Sequence, residues 1–172
     1  MKTTLLACAA GIVAIAAVPA AAQEPGSRQT REFVQAAAQS DQFEILEAQA
    51  VLAQSTDRQV RGFAEQMIRD HGQLRATLQA AAVRAGLQPP VPSLSGDQAQ
   101  LLNALQSLRG PEFDQTYMRH QALAHRSALV VEQGYATNGD VPGVRQAAVT
   151  ATPMISSHLA MAEEISARIA GS

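Results

Sequence analysis

Apolar and small residues recur every three or four positions over four long stretches of this chain, with almost no β-branched runs, so it must fold as amphipathic helices. Phe33, Ala37, Ser40, Glu44, Ala48 and Val51 mark the inward stripe of a first helix over about Thr30 to Gln54. Ser55-Thr56-Asp57 breaks the pattern, and Thr56 with Gln59 reads as a capping box opening the second helix. Its stripe is Val60, Ala64, Met67, His71, Leu74 and Leu78, closed by Gly86 and then Pro89, Pro90 and Pro92. Gly110-Pro111 opens the third long helix, striped by Met118, Gln121, His125, Leu129 and Glu132, and Asn138-Gly139-Asp140 ends it. The fourth runs from about Val144 to Ala170 with Ala147, Ala151, Met154, His158, Met161 and Ile165 inward. Pro153 is predicted to kink or break its first turns.

The connections set the topology. Short links make the first two helices, and the last two, antiparallel neighbours. Between the pairs, Leu87 to Gly110 holds a short helix from about Asp97 to Leu108, capped by Ser95 with Gln98. Its extended part at roughly 3.3 Å per residue and its helical part at roughly 1.5 Å can span about 50 Å, the full length of a bundle. Two antiparallel pairs joined by one long crossover make an all-α, ferritin-like antiparallel four-helix bundle over residues 30–170.

Residues 1–22 stand apart. Lys2, an apolar run from Leu5 to Val18 and then Pro19-Ala20-Ala21-Ala22 have the order of a cleavable signal peptide, with the cut expected after Ala22 and a polar linker over 23–29. The only cysteine, Cys8, and the only lysine lie in that leader, so the mature chain has neither disulfide nor thiolate ligand. With 13 Lys plus Arg against 15 Asp plus Glu, interspersed, the chain offers nucleic acid no basic patch.

Each inward stripe carries one residue foreign to an apolar core: Glu44, His71, His125 and His158. A buried ionisable group costs free energy unless paired or bound. Counted at roughly 1.5 Å per residue from the two tight turns, all four fall about 17 to 28 Å along helices roughly 40 Å long, near mid-bundle. One carboxylate and three imidazoles at one level suit zinc, copper, nickel or iron. Met67 lies one turn before His71, and Met154 and Met161 flank His158, so thioethers stand ready as auxiliary donors to a soft ion. Gly72, beside His71, is expected to admit close approach of a backbone or ligand. The structural counterpart is a Glu44–histidine network that fixes helix register, with methionines as ordinary core filling.

Other residues carry less. His120 is expected at the surface or boundary. Arg61, Glu65 and Arg69 form a solvated face, and Asp70, pointing away from His71, is left to serve another histidine. The residues three before His71, His125 and His158 are Ile68, Ala122 and Ile155, which disfavours a di-iron carboxylate centre. No covalent-haem motif, phosphate loop or nucleophile elbow is present.

Phe33 to Ala37, Glu44, Met67-Ile68-Arg69-Asp70-His71, Phe113-Asp114-x-x-Tyr117, His125 and Pro153-Met154-Ile155-x-x-His158 together resemble a family of small exported bacterial proteins with a ferritin-like fold. The family is catalogued as a domain of unknown function, and its members are often labelled membrane or outer-membrane proteins. The resemblance covers about Arg31 to Arg168 and implies that His71, His125 and His158 are signature histidines, but no activity. Ala124 departs from the acidic residue common before the second of them.

The expectation is an exported periplasmic or outer-membrane-associated protein holding copper or zinc at Glu44, His71, His125 and His158. The competing expectation is a non-catalytic envelope stress or interaction protein with structural histidines, an envelope protein partner and peripheral membrane association. An enzyme is the least favoured, since no paired acid and base or activated nucleophile is visible.

Overall fold

In the computed structural model the described residues, 26–171, form five α-helices with no strand among them: α1 Arg28–Gln54, α2 Arg58–Arg84, α3 Gly96–Ser107, α4 Gly110–Asn138 and α5 Pro142–Ala170. The all-helical expectation is met. The leader and the start of the linker lie outside the described residues.

Local chemistry sets the boundaries. Ser27 caps α1 by accepting from the Thr30 N–H. α2 is capped by Asp57, whose carboxylate accepts from the Gln59 and Val60 N–H groups, so the cap sits one residue after the expected Thr56. The expected box does form at α3, where Ser95 and Gln98 satisfy each other's backbone N–H. Arg61 is not on a solvated face; it donates to the Leu52 and Ser55 carbonyls at the end of α1, which a helix C-terminus favours. Pro153 does not break α5, which runs unbroken from Pro142 to Ala170. At Gly139 a Cβ would stand 2.6 Å from the Tyr135 carbonyl, so only glycine fits that turn.

α1 packs on α2, α2 on α5, α5 on α4 and α4 on α1, closing a ring, while α3 lies against α1 and α4. Contacts at the ends give the directions. Thr30 at the start of α1 meets Tyr135 and Asp140, and Phe33 stacks on Tyr135 at 4.0 Å between centroids. At the other end Arg168 of α5 holds Asp57 in the α1–α2 turn, and Gln115 of α4 donates to the Ile169 carbonyl. Every neighbouring pair is therefore antiparallel, and the segment holding α3 runs from one end of the ring to the other.

One core layer gathers Phe33, Leu78, Tyr135 and Val144; another gathers Phe63, Met67, Leu105, Phe113, Tyr117 and Met118. Ala48, Ala64, Ala82, Ala148 and Ala162 of α1, α2 and α5 have almost no exposure, and such small side chains let neighbouring helices pack closely. Between these apolar layers lies a polar one.

Candidate functional site

The polar layer is built by stripe positions at mid-helix. His71 of α2, His125 of α4 and His158 of α5 are each 1% exposed. Their ring centroids form a nearly equilateral triangle with sides of 5.5, 5.4 and 5.4 Å. One donor atom from each lies within 4.8 Å of the others.

The partners of each ring decide which nitrogen is free. His125 Nδ1 is 2.8 Å from the Gln121 carbonyl, which can only accept, so Nδ1 carries the hydrogen and Nε2 the lone pair. His71 Nδ1 is 2.9 Å from Asp41 Oδ1. Burial raises the Asp41 carboxyl well above its usual range, opposed by the Arg75 charge, and only when Asp41 is ionised does the ring donate from Nδ1 and turn an Nε2 lone pair inward. Those two Nε2 atoms face each other at 3.4 Å. His158 Nε2 donates to Asp70 Oδ2 at 2.9 Å, which leaves Nδ1 buried without a partner. With Asp41 ionised, each ring keeps one nitrogen as an acceptor while its other nitrogen is held by an oxygen of Asp41, Gln121 or Asp70.

Burial above all holds the rings neutral. It lowers His71 to about 4, against the pull of Asp70 upward. His125 falls to about 3, with the His71 charge adding to burial. Burial lowers His158 too, opposed by its hydrogen bond to Asp70.

Glu44 is placed differently. It lies behind His125, with Oε1 3.7 Å from Nδ1 on the far side of the ring from the other two histidines, and it is not among the converging three. Burial first, then the Glu47 and Asp41 charges, raise its carboxyl well above the usual range; the nearby Gln121 amide opposes this, but its hydrogen bond goes to Glu47 and neither Glu44 oxygen has one. Met67 is buried in the adjoining apolar layer, whereas Met154 and Met161 are partly buried. A Cβ at Gly72 would meet nothing within 4 Å, so that glycine serves no close approach, contrary to expectation.

Asp41 and Glu47, which lie outside the sequence reading, complete the layer. α1 presents Asp41, Glu44 and Glu47 one turn apart: Asp41 meets His71, Glu44 stands behind His125, and Glu47 holds His120 at 2.6 Å. Asp70 does serve another histidine, His158. His120 lies at the boundary as expected, but its role is to cover the buried Glu47. The signal that finds Asp41 and Glu47 is their spacing of three on either side of Glu44.

Glu132, also inward on α4, is 7% exposed and its Oε2 has no partner. Burial and the nearby Asp41 raise it to about 8. Its folded pKa lies above its unfolded value, so its contribution to stability is full below about pH 4.5 and is lost as pH rises toward 8. Glu132→Gln is therefore expected to match the parent at pH 4 and to exceed it by about 4 kcal/mol at pH 8. Urea unfolding at the two pH values checks this; equal stabilities at pH 8 would show that Glu132 ionises freely.

Comparison with known proteins adds a family and a fold. A family model described as a domain of unknown function, DUF4142, matches residues 16–165. No protein of curated function matches the chain. The crystal structure of a DUF305 fragment from Deinococcus radiodurans superposes with a TM-score of 0.73 at 20% identity, covering 84% of this chain and 99% of that one. A DUF305 protein from Streptomyces coelicolor, described provisionally as secreted, gives 0.71 at 14% identity, with 83% and 94% covered. At these identities the likeness is one of fold. No helix among the described residues is long and apolar enough to cross a membrane.

Proposed function

We propose that this chain, which belongs to the DUF4142 family of domains of unknown function, is an exported, ferritin-like bundle that binds one copper or zinc ion between His71, His125 and His158. The observation that carries this reading is the convergence of three acceptor nitrogens, each with its other ring nitrogen held by an oxygen of Asp41, Gln121 or Asp70. Two neutral imidazoles whose lone pairs face at 3.4 Å repel unless a proton or a cation lies between them. A tetrahedral ion with bonds of roughly 2.0–2.1 Å separates its ligands by about 3.3–3.4 Å, the spacing found for that pair. Carbonyl and carboxylate groups behind ligating imidazoles are the arrangement that fixes tautomer and raises donor strength.

Three neutral nitrogens leave the ion's charge intact and offer no thiolate, which suits zinc with one further ligand or three-coordinate copper(I). Full burial favours holding the ion over turning substrates over at it. Export is supported by the leader-like residues 1–22.

Elemental analysis of protein purified without chelator or affinity tag tests the reading, followed by melting with added ion. Near-stoichiometric copper or zinc is expected. An ion at a hundred times its Kd is expected to stabilise the fold by about 2.7 kcal/mol, seen as a raised Tm. A folded protein that takes up neither ion at micromolar concentration, with an unmoved Tm, would make the three histidines a structural network.

A further inference from the structure

Four of the buried polar atoms that lack a partner lie in one place, at the seam between α1 and α4 on the far side of His125. They are both carboxylate oxygens of Glu44, the side-chain carbonyl of Gln121 and the hydroxyl of Tyr117. Glu44 is 1% exposed, and Gln121 and Tyr117 are not exposed at all. Glu47, one turn along α1, joins them: its Oε2 takes the Gln121 amide hydrogen at 3.3 Å. Glu44 stands one turn from Glu47 on α1 and Tyr117 one turn from Gln121 on α4, so the Glu47–Gln121 contact brings the two pairs to the same level of the α1–α4 seam.

We infer that Glu44 and Glu47, with the Gln121 carbonyl and the Tyr117 hydroxyl, form a second cation site, one of oxygen donors that takes a hard divalent ion such as Mn²⁺, Mg²⁺ or Ca²⁺. Every orphaned atom here is an oxygen able to accept, and orphaned buried acceptors are rare because each costs free energy. Two carboxylates balance a divalent charge, and a hard ion prefers carboxylate, carbonyl and hydroxyl oxygens to imidazole. A single ion would satisfy all four orphaned atoms at once, which no rearrangement of Gln121 alone achieves. Burial raises both carboxyls, with the Glu47 charge adding to it at Glu44 and the His120 contact opposing it at Glu47. A cavity of about 450 Å³ between α1, α3 and α4 ends at His120, whose ring stands between it and Glu47, so an ion enters only when that ring turns aside. The site differs in donor type from the histidine triangle and does not depend on it.

Mn²⁺ titration of the purified protein, followed by loss of the free-ion EPR signal, tests this. One Mn²⁺ per chain is expected. Glu44→Gln is expected to weaken its binding at least about tenfold, since it removes an anionic ligand, while His71→Asn leaves it within about twofold. Circular dichroism confirms that each variant is folded, and if Glu47→Gln fails to fold, Glu44→Gln decides alone. Absence of Mn²⁺ binding by the folded parent overturns the proposal, as does Mn²⁺ held equally by Glu44→Gln. Loss of Mn²⁺ with His71→Asn assigns the ion to the histidines and overturns it as well.

Discussion

Replacing His71 and His158 together with alanine is expected to abolish copper or zinc binding, with affinity falling by several orders of magnitude. Structural zinc sites bind with an apparent free energy of about 10–16 kcal/mol over their ligands, so removing one imidazole of three forfeits about a hundredfold or more, and removing two leaves His125 alone. The variant must also be shown to fold. Each truncation empties a buried ring volume, and His71→Ala strands the buried Asp41, so a loss of about 2–4 kcal/mol per site is expected in the metal-free state. The milder pair His71→Asn and Asp70→Asn separates the causes. His71→Asn keeps a polar side chain but removes a ligand, whereas Asp70→Asn leaves all three rings in place and disturbs only the group behind His158, for which a 10–100-fold loss is expected. Isothermal titration with zinc measures all of these. Stoichiometric metal retained by the folded double variant would remove the triangle from consideration.

The periodicity of the sequence carried the helices and their ends to within a few residues, because apolar spacing and capping residues act locally. It also named the three histidines, since a polar residue on an apolar stripe is visible without knowing the partner helix. What lies behind the rings was less legible. Ser40 was read as inward, yet it is half-buried and its neighbour Asp41 takes the inner position, a rotation of one residue that periodicity alone does not resolve. Glu47 and His120 meet across two helices 73 positions apart, and the Gln121 carbonyl is a backbone group that no side-chain pattern announces. Glu44 is at the expected height, but height along an axis does not say on which side of a ring a carboxylate stands. Tertiary rotation of helices about their own axes separates a converging set from a merely level one, and that rotation is fixed by packing partners such as Ala48 and Ala64.

Metal retention in acid is the second large effect. An exposed three-histidine site with pKa values near 6.5 is filled by protons as pH falls to 5; each ring then competes roughly thirtyfold against the metal, about four orders of magnitude for three. Here burial lowers His71 to about 4 and His125 to about 3, and lowers His158 in the same direction. Protons are therefore not expected to displace the proposed ion from His71 and His125 until pH falls to about 4. The same shifts act on stability with a definite sign: the unfolded chain takes up protons on these histidines below pH 6.5 while the folded one does not, so the contribution of His71 and of His125 falls as pH drops from 6.5 toward 4, by about 1.4 kcal/mol per unit each, and His158 acts in the same direction. A bound ion opposes this by its own linkage to the folded state. The loaded protein is thus expected to hold zinc with little change in Kd between pH 7 and 5, and to release it below about pH 4, where the rings protonate or the fold gives way. Competition with a zinc-sensitive dye across that range, with circular dichroism in parallel, decides the matter. A thousandfold weakening already at pH 5 in a protein that is still folded would mean that the ion is held by ordinary, solvent-facing histidines.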